Sequence, residues 1–430
     1  MTQRMLFSIL ALILFPSLAS AQAADDACVA CHRDRTPGAV AQWQASGHAA
    51  AGIGCADCHG NDHERIEQGA AKVDADVCGA CHEQALREHA ASRHGIGLHS
   101  GWGCTRNQAQ ADPEACGFCH QEQSTLPVST VHCARFLKQT DEMREVGCNR
   151  CHQVQNSCAS CHTNHQTDLA IVRDPGVCAS CHMGPDHPQW EMWQTSVHGT
   201  LYQSSGDAFA PTCQRCHMPS GTHNVSGGLT ATPGGMLYPE AQRGQSRKQM
   251  VTVCAECHAP AFARAELARA DAVRTQGREL LKEAEAIIHD LADRNLLEPM
   301  PEDRPPHPLA GNQLVTGPQM LYEDISHVER LFFKMKKFDY AKMVKGTFHQ
   351  NPAYAHWYGN AELKMDLVDI RSEASRLRQR GAATVQTNAE DDPLAAAEGE
   401  LLILKKKFER GALDEAAYSE QKGLILERVR

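Results

Sequence analysis

Eighteen of the chain's twenty cysteines stand in nine Cys-x-x-Cys pairs, and a histidine directly follows every pair. The pairs are Cys28 with Cys31, Cys55 with Cys58, Cys78 with Cys81, Cys116 with Cys119, Cys148 with Cys151, Cys158 with Cys161, Cys178 with Cys181, Cys213 with Cys216 and Cys254 with Cys257. The histidines are His32, His59, His82, His120, His152, His162, His182, His217 and His258. Histidine occupies 24 of 430 positions, so chance would put it after a given pair about one time in eighteen. Nine successes in nine require a chemical reason. Two cysteines three residues apart can each form a thioether to one vinyl group of a single haem, and the adjacent histidine then reaches the iron as proximal ligand. Zinc knuckles use paired Cys-x-x-Cys but need no histidine after each. A thioredoxin-like pair normally occurs once, near a βαβ pattern. The spacing therefore predicts nine covalently attached haems c.

Fifteen histidines are left over. An electron-transferring iron usually takes a second axial imidazole. His48, His63, His165, His198 and His223 follow motifs closely and are the expected distal ligands. His89, His94 and His132 are further candidates, as are His289, His307, His327, His349 and His356 in the cysteine-free part. Cys104 and Cys133 belong to no motif; they are either a disulfide or free thiols.

Composition agrees with a cofactor-filled interior. Aromatics are only 5% of the chain, and bound porphyrins would supply the missing apolar volume. A net charge of -10 argues against nucleic acid as partner. At the N-terminus, Arg4, the apolar run Leu6–Leu14 and Ala19-Ser20-Ala21 or Ala21-Gln22-Ala23 read as a signal peptide over about 1–23. That expectation places the mature protein in a bacterial periplasm.

The expected fold class is mainly α. A multihaem domain of short helices and loops is expected over 24–260, and a cofactor-free helical domain over 261–380. In the latter, Leu280, Ala284, Ile287, Ile288 and Leu291 share one face at helical period. Pro299, Pro301, Pro305, Pro306 and Pro308 should end that helix. Further helices are expected from about Leu321 to Val344 and Glu362 to Arg380. A linker is expected over 381–393. Two short helices over 394–430 should follow, with Gly411 as stop and Asp414 as N-cap.

From Cys28 to about Ile370 the sequence resembles the hydroxylamine oxidoreductase family of octahaem cytochromes. The resemblance rests on Gly-Cys-Asn-Arg-Cys-His (147–152) with the next motif at Cys158. It extends through Cys-Ala-Ser-Cys-His-Met-Gly-Pro-Asp-His-Pro-Gln-Trp (178–190) and Ser-Val-His-Gly (196–199). Ala-Pro-Thr-Cys-Gln-Arg-Cys-His-Met (210–218), Thr-His-Asn-Val (222–225), Val-Thr-Val-Cys-Ala-Glu-Cys-His (251–258), Phe-Ala-Arg (262–264) and His-Gln-Asn-Pro (349–352) complete it.

The resemblance implies that the haem on Cys148, Cys151 and His152 is catalytic and lacks a distal protein ligand. It implies that Asp186 and His187 stand beside the substrate, that Tyr238 assists, and that the chain forms a homotrimer. An imidazole beside a carboxylate suits the proton traffic of nitrogen-oxide chemistry. Two features depart from the family. The motif of Cys116, Cys119 and His120 has no octahaem counterpart. Gapless alignment also puts Trp357 where oxidative members carry a cross-linking tyrosine, with Tyr354 and Tyr358 displaced. The implied activity is action on hydroxylamine or nitrite, leaning towards reduction to ammonia. Oxidation of hydroxylamine or hydrazine, with electrons passed to a cytochrome, is the first alternative. A conduit without a substrate site is the second. The expected redox partner is a cytochrome or a quinol-linked membrane cytochrome.

Overall fold

A Cys-x-x-Cys-His run is almost one helical turn, and the chain folds it as one. The amide of His82 donates to the carbonyl of Cys78, His162 to Cys158, His182 to Cys178 and His258 to Cys254, at 2.9–3.0 Å. Residues three and four apart share a helix face, so each turn presents both thiols and the imidazole to one side. The computed structural model describes residues 18–96, 154–185, 187–231, 237–298, 326–391, 393–409, 411 and 413–428. Two expected attachment sites lie outside the described residues: Cys116, Cys119 and His120, and Cys148, Cys151 and His152. Asp186, Cys104 and Cys133 lie outside them as well.

The fold is mainly α. Among the described residues the β structure is an isolated antiparallel bridge between Ala231 and Leu237. No described helix is long and apolar enough to cross a membrane. The chain forms two compact units, one of 1–95, 153–177 and 222–225, the other of 96–152, 178–221 and 226–430. This corrects the expected division into 24–260 and 261–380. The motifs at Cys178, Cys213 and Cys254 belong with the long helices. A direct reason is the buried Asn351, whose Nδ2 donates to Met192 O and Thr195 Oγ1, both at 2.8 Å.

The first unit is a succession of short capped helices. Asp62 accepts from Arg65 N, Asp74 from the amides of Asp76 and Val77, and Asp168 from Ala170 N. Short helices of this kind cannot hold themselves together in water, so caps and cofactor contacts must do it.

In the second unit, α1 (Glu240–Cys254) carries the last motif, and α2 (Pro260–Asp293) follows it. The α2 helix ends where Asn295 adopts a φ of 54°, a left-handed stop that asparagine tolerates. The segment 327–348 forms α3, with π-helical winding at Met335–Asp339. After a second π-helical segment at Ala355–Asn360, α4 runs Ala361–Asp391. Ala284, Ile288 and Leu291 of α2, Val328, Phe332 and Met343 of α3, and Leu363, Leu367 and Ile370 of α4 form one buried core. Burial of each large aliphatic side chain contributes roughly 1.5–3 kcal/mol. Gly359 lets the second π segment lie against α3, because a Cβ there would overlap the Met343 backbone.

The expected linker over 381–393 is instead helix as far as Asp391. Gly381 alone does not break a helix whose neighbours are good formers such as Ala382. Pro393 starts α5 (Pro393–Glu409), and α6 (Glu415–Glu427) follows with Asp414 accepting from Ala417 N. Lys407 of α5 reaches Asp290 of α2 at 2.8 Å.

One buried charge cluster in this unit gives a pH signature. Lys334 Nζ donates to Asp339 (2.9 Å), Asp366 (2.7 Å) and Glu362 (3.3 Å). Burial, then the facing Asp339, push the Asp366 carboxyl up to about 7 against the pull of Lys334. Its folded pKa exceeds its ordinary value of 3.8, so between those two values the folded state holds the extra proton and stability falls as pH rises. Asp366→Asn should flatten the difference in unfolding midpoint between pH 5 and pH 7 relative to wild type. Equal differences in the two proteins would refute the assignment.

Candidate functional site

Two imidazoles bound trans to one metal, each at about 2.0 Å, have ring centroids about 6.3 Å apart. Each of the seven described motif histidines faces a second histidine near that separation; the His182–His187 pair, at 6.5 Å, is the one with nearly perpendicular rings. In the first unit the pairs are His32–His63 at 6.2 Å, His59–His165 at 6.2 Å, His82–His48 at 6.1 Å and His162–His223 at 6.1 Å. In the second the others are His258–His198 at 6.1 Å and His217–His349 at 6.5 Å. Among the described residues no three His, Cys, Asp or Glu side chains gather as a conventional metal site. Two protein ligands per iron, the other four from a porphyrin, is the donor set haem c requires.

The rings are also oriented for this. His32 Nδ1 bonds Thr36 Oγ1 at 2.8 Å, His48 Nδ1 bonds Thr167 Oγ1 at 3.2 Å, and His349 Nδ1 donates to Lys345 O at 2.7 Å. Engaging Nδ1 leaves Nε2 to face a metal. Burial pushes the His349 pKa down to about 4, against the hydrogen bond to Lys345. Burial also lowers His59, His162, His198 and His217. Each shift favours the neutral ring that ligation needs.

The motif thiols do not share one environment. Cys28, Cys55, Cys58, Cys78, Cys158, Cys161, Cys178, Cys181, Cys213, Cys216 and Cys254 are half-buried. Cys31, Cys81 and Cys257 are exposed. The amide of Cys81 donates to Cys78 O, Cys161 to Cys158 O and Cys257 to Cys254 O, at 3.1–3.2 Å, so each motif is wound as a tight turn. The second cysteine directly precedes the histidine and is rotated about 100° from it, whereas the first cysteine is nearly in line. Cys58, Cys161, Cys181 and Cys216 hold the same place in their motifs but are half-buried, so position in the turn does not by itself set exposure. Among the described residues no disulfide ties up a motif thiol. Cys119, the second cysteine of the motif without an octahaem counterpart, lies outside the described residues, so that site is neither placed nor removed by the geometry. Neighbouring motifs act on each other as well: burial and then the Cys78 thiol push the Cys158 thiol up, and the Cys178 thiol, then burial, push up that of Cys213. Attachment points this close set successive haems near one another.

His187 differs from the other facing histidines in its ring angle and in its own hydrogen bond. It stands edge-on to His182, with ring planes at 80°, and its Nε2 donates to Cys181 O at 2.9 Å. Tyr238 is buried at 8% exposure, beside the Ala231–Leu237 bridge, where its amide donates to Thr230 O. Arg274, itself buried, donates to Thr230 Oγ1 at 3.0 Å and so fixes this corner. Trp357 and Tyr358 lie on the second π segment at 66% and 59% exposure. Tyr354, with its ring centroid 4.8 Å from that of Tyr358, has its phenol pushed up to about 12 by burial, Glu191 and Tyr358.

His349 was one histidine among several in the sequence, with nothing to pair it with His217. The nearby Asn351-Pro352 was the available signal. Asn351 Oδ1 accepts from Tyr354 N and starts a new helix there, so the turn that holds His349 is fixed from both sides.

A family model described as seven times multi-haem cytochrome CxxCH matches residues 51–305. A probable nitrite reductase-hydroxylamine oxidoreductase fusion protein of Kuenenia stuttgartiensis is 28% identical over 464 residues, covering 82% of this chain. The chain spans 52% of that relative's length. Among solved structures, a reducing HAO-like protein complex of Kuenenia stuttgartiensis superposes with a TM-score of 0.68 at 24% identity, covering 88% of this chain and 89% of the other. A hypothetical multiheme protein superposes with a TM-score of 0.59 at 16% identity, covering 87% of this chain and 100% of the other.

Proposed function

The chain belongs to the multihaem CxxCH cytochrome family, and on that premise we propose that it is an exported nine-haem oxidoreductase that reduces nitrite or hydroxylamine to ammonia. The observation that carries this reading is the set of six facing histidine pairs other than His182–His187. Irons held between two imidazoles have no position for substrate, so they pass electrons. Chemistry then belongs to a motif outside those pairs, and the resemblance favours that of Cys148, Cys151 and His152. The activity named for the Kuenenia relative supports the substrate class. Trp357 in place of a cross-linking tyrosine supports the reductive direction.

Cys148, Cys151 and His152 would hold a haem that, when bound, would supply the redox centre for the substrate and a route for electrons. The chain's own task is to supply protons. Hydroxylamine to ammonia takes two electrons and two protons and releases water. With its Nε2 directed at Cys181 O, the His187 ring would be held in place to accept and return a proton. Asp186 and the Tyr238 hydroxyl would assist in that proton transfer, as the resemblance implies. Electrons would arrive from a periplasmic cytochrome or a quinol-linked membrane cytochrome, and the working assembly would be a homotrimer.

Carbon monoxide titration of the reduced holoprotein tests this. One haem per chain should take up the ligand; uptake by none would remove every reading with a substrate site. Assays with nitrite and hydroxylamine under a viologen donor should show ammonia formed. His187→Ala should lower turnover by about a hundredfold or more, while leaving the haem spectrum intact.

A further inference from the structure

Two helices of the second unit each carry two arginines one turn apart, and the helices bring them together. Arg243 and Arg247 stand on α1, Arg274 and Arg278 on α2. Like charges at that spacing share a helix face and destabilise it, so two such pairs on packed helices need a counter-charge. Among the described residues, one carboxylate makes ion-pair contact with the four, that of Asp271. It accepts from Arg247 Nη2 at 2.7 Å through Oδ2, and from Arg274 Nη2 through Oδ1. The Arg247 and Arg274 guanidinium groups also lie 5.6 and 5.2 Å from the centroid of the Phe348 ring, so one aromatic side chain positions both. The chain turns back on itself between α1 and α2. Arg243, one turn before Arg247, and Arg278, one turn after Arg274, therefore lie beyond the same end of the Asp271 contact. Neither has a carboxylate partner among the described residues.

Two donors of this cluster are left over. Arg243 Nε and the Tyr340 hydroxyl are buried, with no hydrogen-bond partner among the described residues. The Tyr340 ring lies on Gly277, where a Cβ would come within 3.0 Å of it. Burial pushes the Tyr340 phenol up, against the pull of Arg278 and Arg274, so it stays protonated and can donate. Burial lowers the Arg274 pKa against the pull of Asp271 and Tyr340, and Arg247 and Arg243 act in the same direction as burial. Four guanidinium groups thus act on one carboxylate, with two idle donors among them. Buried polar atoms are ordinarily hydrogen-bonded, and the guanidinium fork matches the geometry of a planar oxyanion. Arg243, Arg247 and Arg278 are only half-buried, so an ion can reach them from water. The cluster also adjoins Tyr238: Arg274 Nη1 donates to Thr230 Oγ1 at 3.0 Å, and Thr230 O accepts from Tyr238 N at 3.1 Å.

We propose that Arg243, Arg278 and the Tyr340 hydroxyl, backed by Arg247 and Arg274, bind a small planar oxyanion, which in the working protein is nitrite. The choice of nitrite rests on the function proposed above; the oxyanion site does not. Nitrite is an anion and hydroxylamine is not, so the cluster gathers the first and leaves the second to find its own way in. Nitrate is the probe, because it shares nitrite's charge and planarity and is a poor ligand of haem iron. Calorimetry on the full-length oxidised holoprotein should show one nitrate bound per chain, with the haem spectrum unchanged. Arg278→Gln should weaken that binding about tenfold, and Tyr340→Phe, which keeps the buried ring, should weaken it as well. In turnover, Arg278→Gln should raise the KM for nitrite about tenfold and leave the KM for hydroxylamine where it was. Wild type that binds no nitrate, or variants that bind it as tightly as wild type, would overturn the proposal. A shifted haem potential in Arg278→Gln with nitrate binding unchanged would overturn it too, because these arginines would then serve a haem propionate. Nitrate binding that weakens in both variants, in a protein that turns over neither substrate, would uphold the oxyanion site while removing the catalytic reading.

Discussion

Replacing His349 by alanine should open one further iron to carbon monoxide and slow electron delivery through the second unit. His349 stands 6.5 Å from His217, and its Nδ1 is already committed to Lys345 O. The helix end that carries it therefore holds Nε2 in one direction. Loss of this ring leaves the haem on Cys213 and Cys216 with a single protein ligand. The ferric spectrum should gain a high-spin component, and the carbon monoxide stoichiometry should rise by one. If the spectrum and stoichiometry match wild type, His349 is a buried hydrogen-bonding residue and not a ligand. His349→Met should keep six-coordination in the ferric state and raise that haem's potential, as methionine ligation does.

The second large effect is on stability. Asn351→Ala removes three hydrogen bonds from a side chain only 4% exposed: two donated to Met192 O and Thr195 Oγ1, one accepted from Tyr354 N. The groups left behind are partly buried, so the loss should be about 2–4 kcal/mol. Thermal unfolding should report it directly. The same change should loosen His349 two residues away, so the variant should also show a fraction of high-spin haem. A midpoint within experimental error of wild type would show that the contact between helix Gln189–Gln194 and the start of the second π segment carries little of the fold.

Much of this was legible in the sequence, and the reasons are local. The motif cysteines and histidines announce themselves because covalent attachment fixes both residue type and spacing. Their burial was not legible: Cys31, Cys81 and Cys257 reach the surface while Cys161, in the same place in its motif, does not, because exposure depends on which element lies over the turn. The apolar face of α2 was read from its period, and Ala284, Ile288 and Leu291 are indeed in the core. The two short C-terminal helices were read from Gly411, which takes a φ of 69°, and from Asp414, which caps. What could not be read was pairing. His165 meets His59 and His349 meets His217 only because the chain returns from far along the sequence, and no local pattern encodes that. The helix through 381–391 stands where a linker was expected, because one glycine at Gly381 costs only about 1 kcal/mol in a long helix.

The facing histidines have a consequence for the chain as a polymer. With iron bound, each pair is a cross-link between segments distant in sequence, made of two coordination bonds and two thioethers. A cross-link restricts the unfolded chain by the entropy of the loop it closes, and the restriction grows with loop length. The link between His217 and His349 closes one of the longest such loops, and it joins the haem-bearing part of the second unit to helices that carry no cysteine. If His349 is a ligand, the long C-terminal helices would be fastened through metal, and a chain matured without haem would lack the fasteners that hold its distant segments together.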